Sequence, residues 1–200
     1  MIAIIDYGMG NLASVQKAIR NLGKDVIITF DKKEIQEASL IVLPGVGSFE
    51  QGMKNLKDRG LIELLNQEVI QHKKPFLGIC LGMQLIMEKG TEPIECEGLG
   101  WIKGTVEVIN NSRLPVPHLG WNKTYKLGEE NQEDNLSNNF YFIHSFHVLP
   151  GEHVECTYVD YEFKMIASIQ KENIYATQFH PEKSQNAGLS LLKTYIESHA

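Results

Sequence analysis

The sequence predicts an α/β fold: an open, mostly parallel sheet with helices on both faces, and a small antiparallel β layer beside it. Three observations carry this. Short apolar runs alternate with segments of helical period through the first half of the chain. After Gly98 the helical period fades and strand-like runs follow one another. The chain has 200 residues, 42% of them hydrophobic, enough for one sizeable core, so a single domain over residues 1–200 is expected.

Residues 2–6 form the first predicted strand. Leu12, Val15, Ala18, Ile19 and Leu22 then recur at helical spacing, with Asn11 suited to the N-cap and Gly23 to the C-terminal cap. Residues 26–30 and 40–43 are the second and third strands, the latter ending at Pro44-Gly45. Leu61, Leu64, Leu65, Glu68 and Val69 mark the next helix. Residues 75–79 are the fourth strand, leading to Cys80 and a helical pattern that begins near Met83. Beyond Gly98, residues 106–109, 140–143, 154–158, 165–170 and 174–179 read as short strands of the antiparallel layer. Residues 127–139 are acidic and Asn-rich and read as a surface loop. Leu189, Leu192, Tyr195 and Ile196 mark a closing helix.

Composition excludes several functions. The net charge is −6 and no basic stripe interrupts it, which argues against nucleic-acid binding. The N-terminus has no positively charged segment and reaches Asp6 at once, so it reads as a core strand and not a signal peptide. Apolar runs such as Leu40-Ile41-Val42-Leu43 are far below the ~20 residues that span a bilayer. No membrane association is expected, and a cytoplasmic location is. The cysteines are Cys80, Cys96 and Cys156. Their odd number and lack of framework spacing argue against disulfides, and Cys96 and Cys156 read as packing or surface thiols.

Parallel-sheet proteins place their sites beyond the carboxyl ends of the strands. Residues 7–11, residues 44–47, Cys80 and His180 all fall at such ends. Gly78-Ile79-Cys80-Leu81-Gly82 has the strand–turn–helix context of a nucleophile elbow, with sulfur in place of a hydroxyl. A helix N-terminus and a nearby imidazole favour the thiolate, and the Leu81 N–H points toward a developing oxyanion. His180-Pro181-Glu182 supplies the imidazole and a carboxylate to orient it. Positions i and i+2 of an extended chain share a face, and Pro181 is expected to keep that segment extended. Together these residues point to acyl transfer through a thioester. Pro44-Gly45-Val46-Gly47 can present N–H groups to an oxyanion, although an ordinary tight turn has the same composition.

Two further patterns read as decoys. Gly8-Met9-Gly10-Asn11-Leu12-Ala13 fits a dinucleotide-binding turn, with Asp31 downstream at about the expected ~20 residues, but a lone match is weak. His144 and His147 lie in a strand-like segment at a spacing that faces opposite sides, and no Cys or carboxylate completes a ligand set with them, His118 or His153. Neither a metal nor another cofactor is expected.

Gly78-Ile79-Cys80-Leu81-Gly82-Met83-Gln84 with His180-Pro181-Glu182 resembles the triad, or class I, glutamine amidotransferases, whose fold is flavodoxin-like. Five more segments resemble the glutaminase subunits of imidazole glycerol phosphate synthase. They are residues 5–12, Pro44-Gly45-Val46-Gly47, Pro117-His118-Leu119-Gly120-Trp121-Asn122, residues 141–146 and His180-Pro181-Glu182-Lys183-Ser184. The sister glutaminases of pyridoxal phosphate synthase carry a Gly-Gly-Glu-Ser type loop where residues 44–47 stand here. The resemblance implies hydrolysis of glutamine to glutamate and ammonia, with Cys80 as nucleophile, His180 as acid and base, and Glu182 orienting His180. It implies Leu81 and the Gly45, Val46, Gly47 loop at the oxyanion, and Gln84, Ser145 and Phe146 at the glutamine. It also implies a partner (β/α)8-barrel cyclase that takes the ammonia and converts PRFAR to imidazole glycerol phosphate and AICAR, with Asn11, His118, Trp121 and Lys183 at the interface. Trp121 equally suits a core position, and Lys183 a solvated surface one.

Three rivals stay open on the residues alone. A stand-alone cysteine hydrolase shares the thiol–imidazole chemistry. A non-catalytic binding module shares the fold. A nucleotide-binding oxidoreductase rests on residues 8–13 only.

Overall fold

The computed structural model of the chain describes residues 1–110, 113–128 and 138–199. Its frame is a seven-stranded sheet in the order β11-β12-β13-β4-β3-β1-β2. β1 (Ile2–Ile5), β2 (Val26–Thr29), β3 (Leu40–Gly45), β4 (Phe76–Cys80) and β13 (Ile174–Thr177) run parallel. β1, β3 and β4 are buried at every position, as strands covered on both faces must be, and this is why they read as unbroken apolar runs.

One face is covered by α1 (Leu12–Asn21) and α6 (Gln185–His199), through Val15, Ile19, Leu192 and Ile196. The other is covered by α3 (Phe49–Asp58), α4 (Ile62–Leu65) and α5 (Leu81–Leu85), with Phe49, Leu56, Leu65 and Leu85 in the core. α4 continues as a π-helical turn over Asn66–Gln71. Asn11 caps α1 by accepting from the Ser14 N–H, and Gly23 follows the helix at φ +73°, both as the sequence predicts. α2 (Lys32–Glu37) and α3 lie outside the predicted elements. α2 buries only Ile35 and is held by the Asp31 cap, whereas α3 buries Phe49, Gly52, Met53 and Leu56 at i, i+3, i+4 and i+7, a helical stripe whose glycine does not read as apolar.

The antiparallel strands divide differently from the expectation of one added layer. β11 (Glu155–Tyr161) and β12 (Phe163–Lys171) extend the central sheet, with β12 pairing antiparallel to β13. A separate four-stranded sheet, β10-β7-β5-β6, joins β5 (Met87–Gly90), β6 (Cys96–Glu97), β7 (Ile102–Val108) and β10 (Phe146–Pro150). β8 (His118–Lys123) and β9 (Asn139–His144) form a two-stranded ribbon. Alternation marks a strand but does not choose its partner, so the antiparallel edge of the main sheet was hidden. Of the predicted surface loop at 127–139, residues 129–137 lie outside the described residues. Among the described residues, no helix is long and apolar enough to cross a membrane.

Candidate active site

The carboxyl ends of β3, β4 and β13 bring three sequence-distant segments together. β4 ends on Cys80, which holds φ +53° and ψ −105°, a conformation costly for a side chain with a Cβ. The flanking glycines make it possible. A Cβ at Gly78 would sit 2.9 Å from the Gly82 carbonyl oxygen, and one at Gly82 would overlap the carbonyl oxygen of Leu43 on β3. The elbow is therefore packed backbone against backbone. α5 begins at Leu81, two residues earlier than the sequence pattern predicts, because Cys80 itself is its N-terminal cap residue.

His180 follows β13 and is almost fully buried. Its Nδ1 lies 2.7 Å from Glu182 Oε1. The segment is not extended as predicted: Pro181–Lys183 forms a 3₁₀ turn, with the Ser184 hydroxyl bonded to the His180 carbonyl. Proline suits the first position of a helical turn, so the carboxylate returns to the ring by the turn and not by strand alternation. The ring's Nε2 is buried, without a well-aligned hydrogen bond, on the side of the Cys80 sulfur. Burial alone would lower the His180 pKa. The bonds and charges of Cys80 and Glu182 outweigh it and raise the pKa to about 9.

The sulfur is bounded by the Ile143 carbonyl at 3.9 Å and the Gln178 amide nitrogen at 3.7 Å. It opens on a cavity of about 510 Å³ lined by Val46, Gly47, Leu81, Gln84, Ser145 and Phe146, together with Glu92, His144 and Lys183. Gly45 pairs with Cys80 across β3 and β4 but is not among the residues that line the cavity; a Cβ there would overlap the Tyr7 hydroxyl. Gln84 Nε2 donates to the Phe146 carbonyl at 3.1 Å and to Gln178 Oε1 at 3.2 Å. Sequence reasoning missed Glu92, Gln178 and His144. Gln178 left one signal, an amide in the otherwise apolar run before His180. Glu92 left none. Its carboxyl is half-buried, and that burial raises its pKa against the Phe49 N–H bond that lowers it.

Of the four predicted interface residues, Asn11, Trp121 and Lys183 are exposed, and the Lys183 amine sits 5.9 Å from the Tyr141 ring centroid. Trp121 is thus not core. His118 is a correction: it is fully buried between Phe142 and Tyr161, so it presents nothing to the surface of the chain. The glycines of residues 8–13 are also explained without a nucleotide, because Gly10 packs on Gly45, with a Cβ there only 3.0 Å from the Gly45 Cα. Among the described residues, no group of three or more His, Cys, Asp or Glu is placed to hold a metal ion. Cys96 and Cys156 are free and half-buried.

The histidines make stability depend on pH with opposite signs. Burial lowers His118 to about 4 and His144 to about 3, so in both the folded state favours the neutral ring. Their contribution is whole above the unfolded value of ~6.5 and is lost as pH falls through the folded values. His180 is raised, so its contribution is whole below ~6.5 and is lost as pH rises through about 9. The urea midpoint is expected to peak near neutrality and fall on both sides. A midpoint that is flat from pH 7 to pH 4.5 would show that the two rings are not buried and neutral.

An elbow thiol, an imidazole and a carboxylate brought together in this way make a site suited to cysteine-dependent acyl transfer. The family model for "Glutamine amidotransferase class-I" matches residues 3–196, and the chain belongs to that family. Within it, the chain belongs with the HisH subunits of imidazole glycerol phosphate synthase. It is 48% identical to "Imidazole glycerol phosphate synthase subunit HisH 1" of Campylobacter jejuni (strain RM1221), covering 98% of this chain and 99% of that one. It is 44% identical to the HisH subunit of Aquifex aeolicus (strain VF5), covering 96% and 94%. A crystal structure of a glutamine amidotransferase superposes with a TM-score of 0.74 at 16% identity, covering 98% and 97%, and that likeness speaks for the fold alone.

Proposed function

We propose that the chain hydrolyses glutamine through a γ-glutamyl thioester on Cys80 and hands the ammonia to a (β/α)8-barrel cyclase, which turns PRFAR into imidazole glycerol phosphate and AICAR. The observation that carries the chemistry is the strained Cys80 elbow with the His180–Glu182 pair, at 2.7 Å, behind it. The HisH relatives, each named as a subunit, support the destination of the ammonia.

The Cys80 sulfur, its proton already on His180, attacks the side-chain amide carbon of glutamine. The carbonyl π pair moves to oxygen, and the Leu81 N–H and the Gly45, Val46, Gly47 segment stabilise that oxyanion. His180, held protonated by Cys80 and Glu182, gives its Nε2 proton to the amide nitrogen, and the C–N bond breaks to release ammonia. His180, now neutral, takes a proton from water, whose oxygen attacks the thioester. The C–S bond breaks and glutamate leaves. Glu182 holds the Nδ1 side of the His180 ring and so its orientation throughout. Glutamine also carries an ammonium and a carboxylate, and Glu92 and Lys183 give the cavity one charge of each opposite sign. Gln84, Ser145 and Phe146 line the same cavity as these charges and the sulfur.

A partner surface favours this reading over a stand-alone hydrolase. The β8–β9 ribbon turns Leu119 (58% exposed), Trp121 (43%) and Ile143 (38%) outward, beside a cavity that Ile143 lines. Asn11 and Lys183 are also exposed, and we assign this side of the molecule to the cyclase. The test uses glutamine labelled with 15N at the amide. With the cyclase and PRFAR present, the label is expected in the imidazole product, undiluted by unlabelled ammonium in the buffer. Full dilution would overturn transfer within the complex, and absence of glutamate would overturn the glutaminase.

A further inference from the structure

Three side chains that the proposed chemistry does not use form an unbroken run of hydrogen bonds into the glutamine cavity. The inner face of the β8–β9 ribbon carries His118 opposite His144, with Asn122 further along. His118 Nδ1 lies 2.9 Å from His144 Nε2, and His118 Nε2 lies 2.7 Å from the Asn122 amide nitrogen. His144 Nδ1 lies 2.8 Å from the Phe146 carbonyl oxygen.

The direction of every bond is set by one atom. A carbonyl oxygen only accepts, so His144 Nδ1 carries the hydrogen. Burial keeps the ring neutral, which leaves His144 Nε2 a bare acceptor, and His118 Nδ1 must donate to it. His118 is neutral by the same cause, so its Nε2 accepts from the Asn122 amide. The Phe146 carbonyl takes a second hydrogen from Gln84, which also donates to Gln178, which donates to the Cys80 sulfur. Asn122 follows the exposed Trp121, so one network joins the outer ribbon to the nucleophile.

We propose that His118 is a positioning residue for glutamine: its Nδ1–H holds His144 in the Nδ1–H tautomer and thereby pins the Phe146 carbonyl and the Ser145–Phe146 wall of the cavity. The proposal rests on the glutaminase reading above. A rotated His118 ring would set lone pair against lone pair, or hydrogen against hydrogen, at two buried rings. His144 would then release the carbonyl, and the wall would move. Stacking on Phe142 at 4.7 Å and Tyr161 at 4.1 Å keeps His118 from rotating.

The test combines a spectroscopic and a kinetic reading of the chain in complex with its cyclase. Ring 15N shifts at pH 7.5 are expected to show Nδ1–H tautomers at both His118 and His144. His118→Phe keeps a flat buried ring but removes the donor, and is expected to raise KM for glutamine about tenfold while kcat stays within about twofold. His118→Asn places an amide N–H near the lost Nδ1 and is expected to return KM to within about threefold of wild type, since the buried acceptor regains a partner. A merely structural role would lower the folded fraction, and hence the apparent kcat, with KM unmoved. An Nε2–H tautomer at His144, an unchanged KM in His118→Phe, or His118→Asn no better than His118→Phe would each overturn the proposal. Should His118→Phe not fold, the tautomers and the KM of His118→Asn still decide. Wild type that releases no glutamate would instead overturn the glutaminase reading on which the proposal stands.

Discussion

Cys80→Ala is expected to lower glutamate release by about 10⁴-fold or more, with the cyclase and PRFAR present or absent. The size follows from what is removed. Without the sulfur no covalent intermediate forms, and only water, unactivated, is left to attack a stable amide. The cavity, with Glu92, Lys183 and the Ser145–Phe146 wall, remains, so glutamine binding should persist within about threefold, as expected when a group acts mainly in the transition state. His180→Ala should cost nearly as much, and the double variant little more than either alone, since the pair acts as a unit. Turnover by the cyclase on added ammonia should survive in both variants. Measurement is by coupled assay of glutamate. Cys80→Ala with activity within tenfold of wild type would remove the thiol from the mechanism.

The same residues show what could be read before folding. β1, β3 and β4 were legible because both their faces are dry, and α1 because a capping Asn11 and a trailing Gly23 bracket an apolar stripe. The elbow was legible because Gly78 and Gly82 bracket the nucleophile in one short segment and pack on each other; the Leu43 contact on Gly82 comes from β3 and was not. Where a residue's environment comes from distant strands, the sequence was silent or misleading. His118 read as surface, yet Phe142 and Tyr161 enclose it from β9 and β11. Glu92 sits in a polar stretch with no period, and only the fold brings it to the cavity. The His180–Glu182 contact was foreseen for the wrong reason. The spacing was right, but a 3₁₀ turn and not an extended strand closes it.

Gly82→Ala is expected to be the most damaging single methyl that can be added to this site. The new Cβ would overlap the Leu43 carbonyl oxygen, which belongs to the strand next to β4 and cannot rotate away as a side chain does. Either α5 lifts from β3 or β3 bows, and both shift Cys80, which sits between them. A loss of about 3 kcal/mol is expected, at the upper end of overpacking effects. Gly23→Ala is the control. Unlike Gly82 it has positive φ, at +73°, but nothing lies within 4 Å, so it should lose only the 1–2 kcal/mol or so of left-handed backbone strain. The catalytic consequence separates the two further. A displacement near 1 Å at the nucleophile is worth about 100-fold in rate, so Gly82→Ala that still folds should keep at most about 1% of wild-type kcat, whereas Gly23→Ala should keep nearly all of it. Urea midpoints and glutaminase rates on the same samples test both halves. Equal midpoints for the two variants, or full activity in folded Gly82→Ala, would mean that the elbow is not held backbone against backbone and that Cys80 needs no such support.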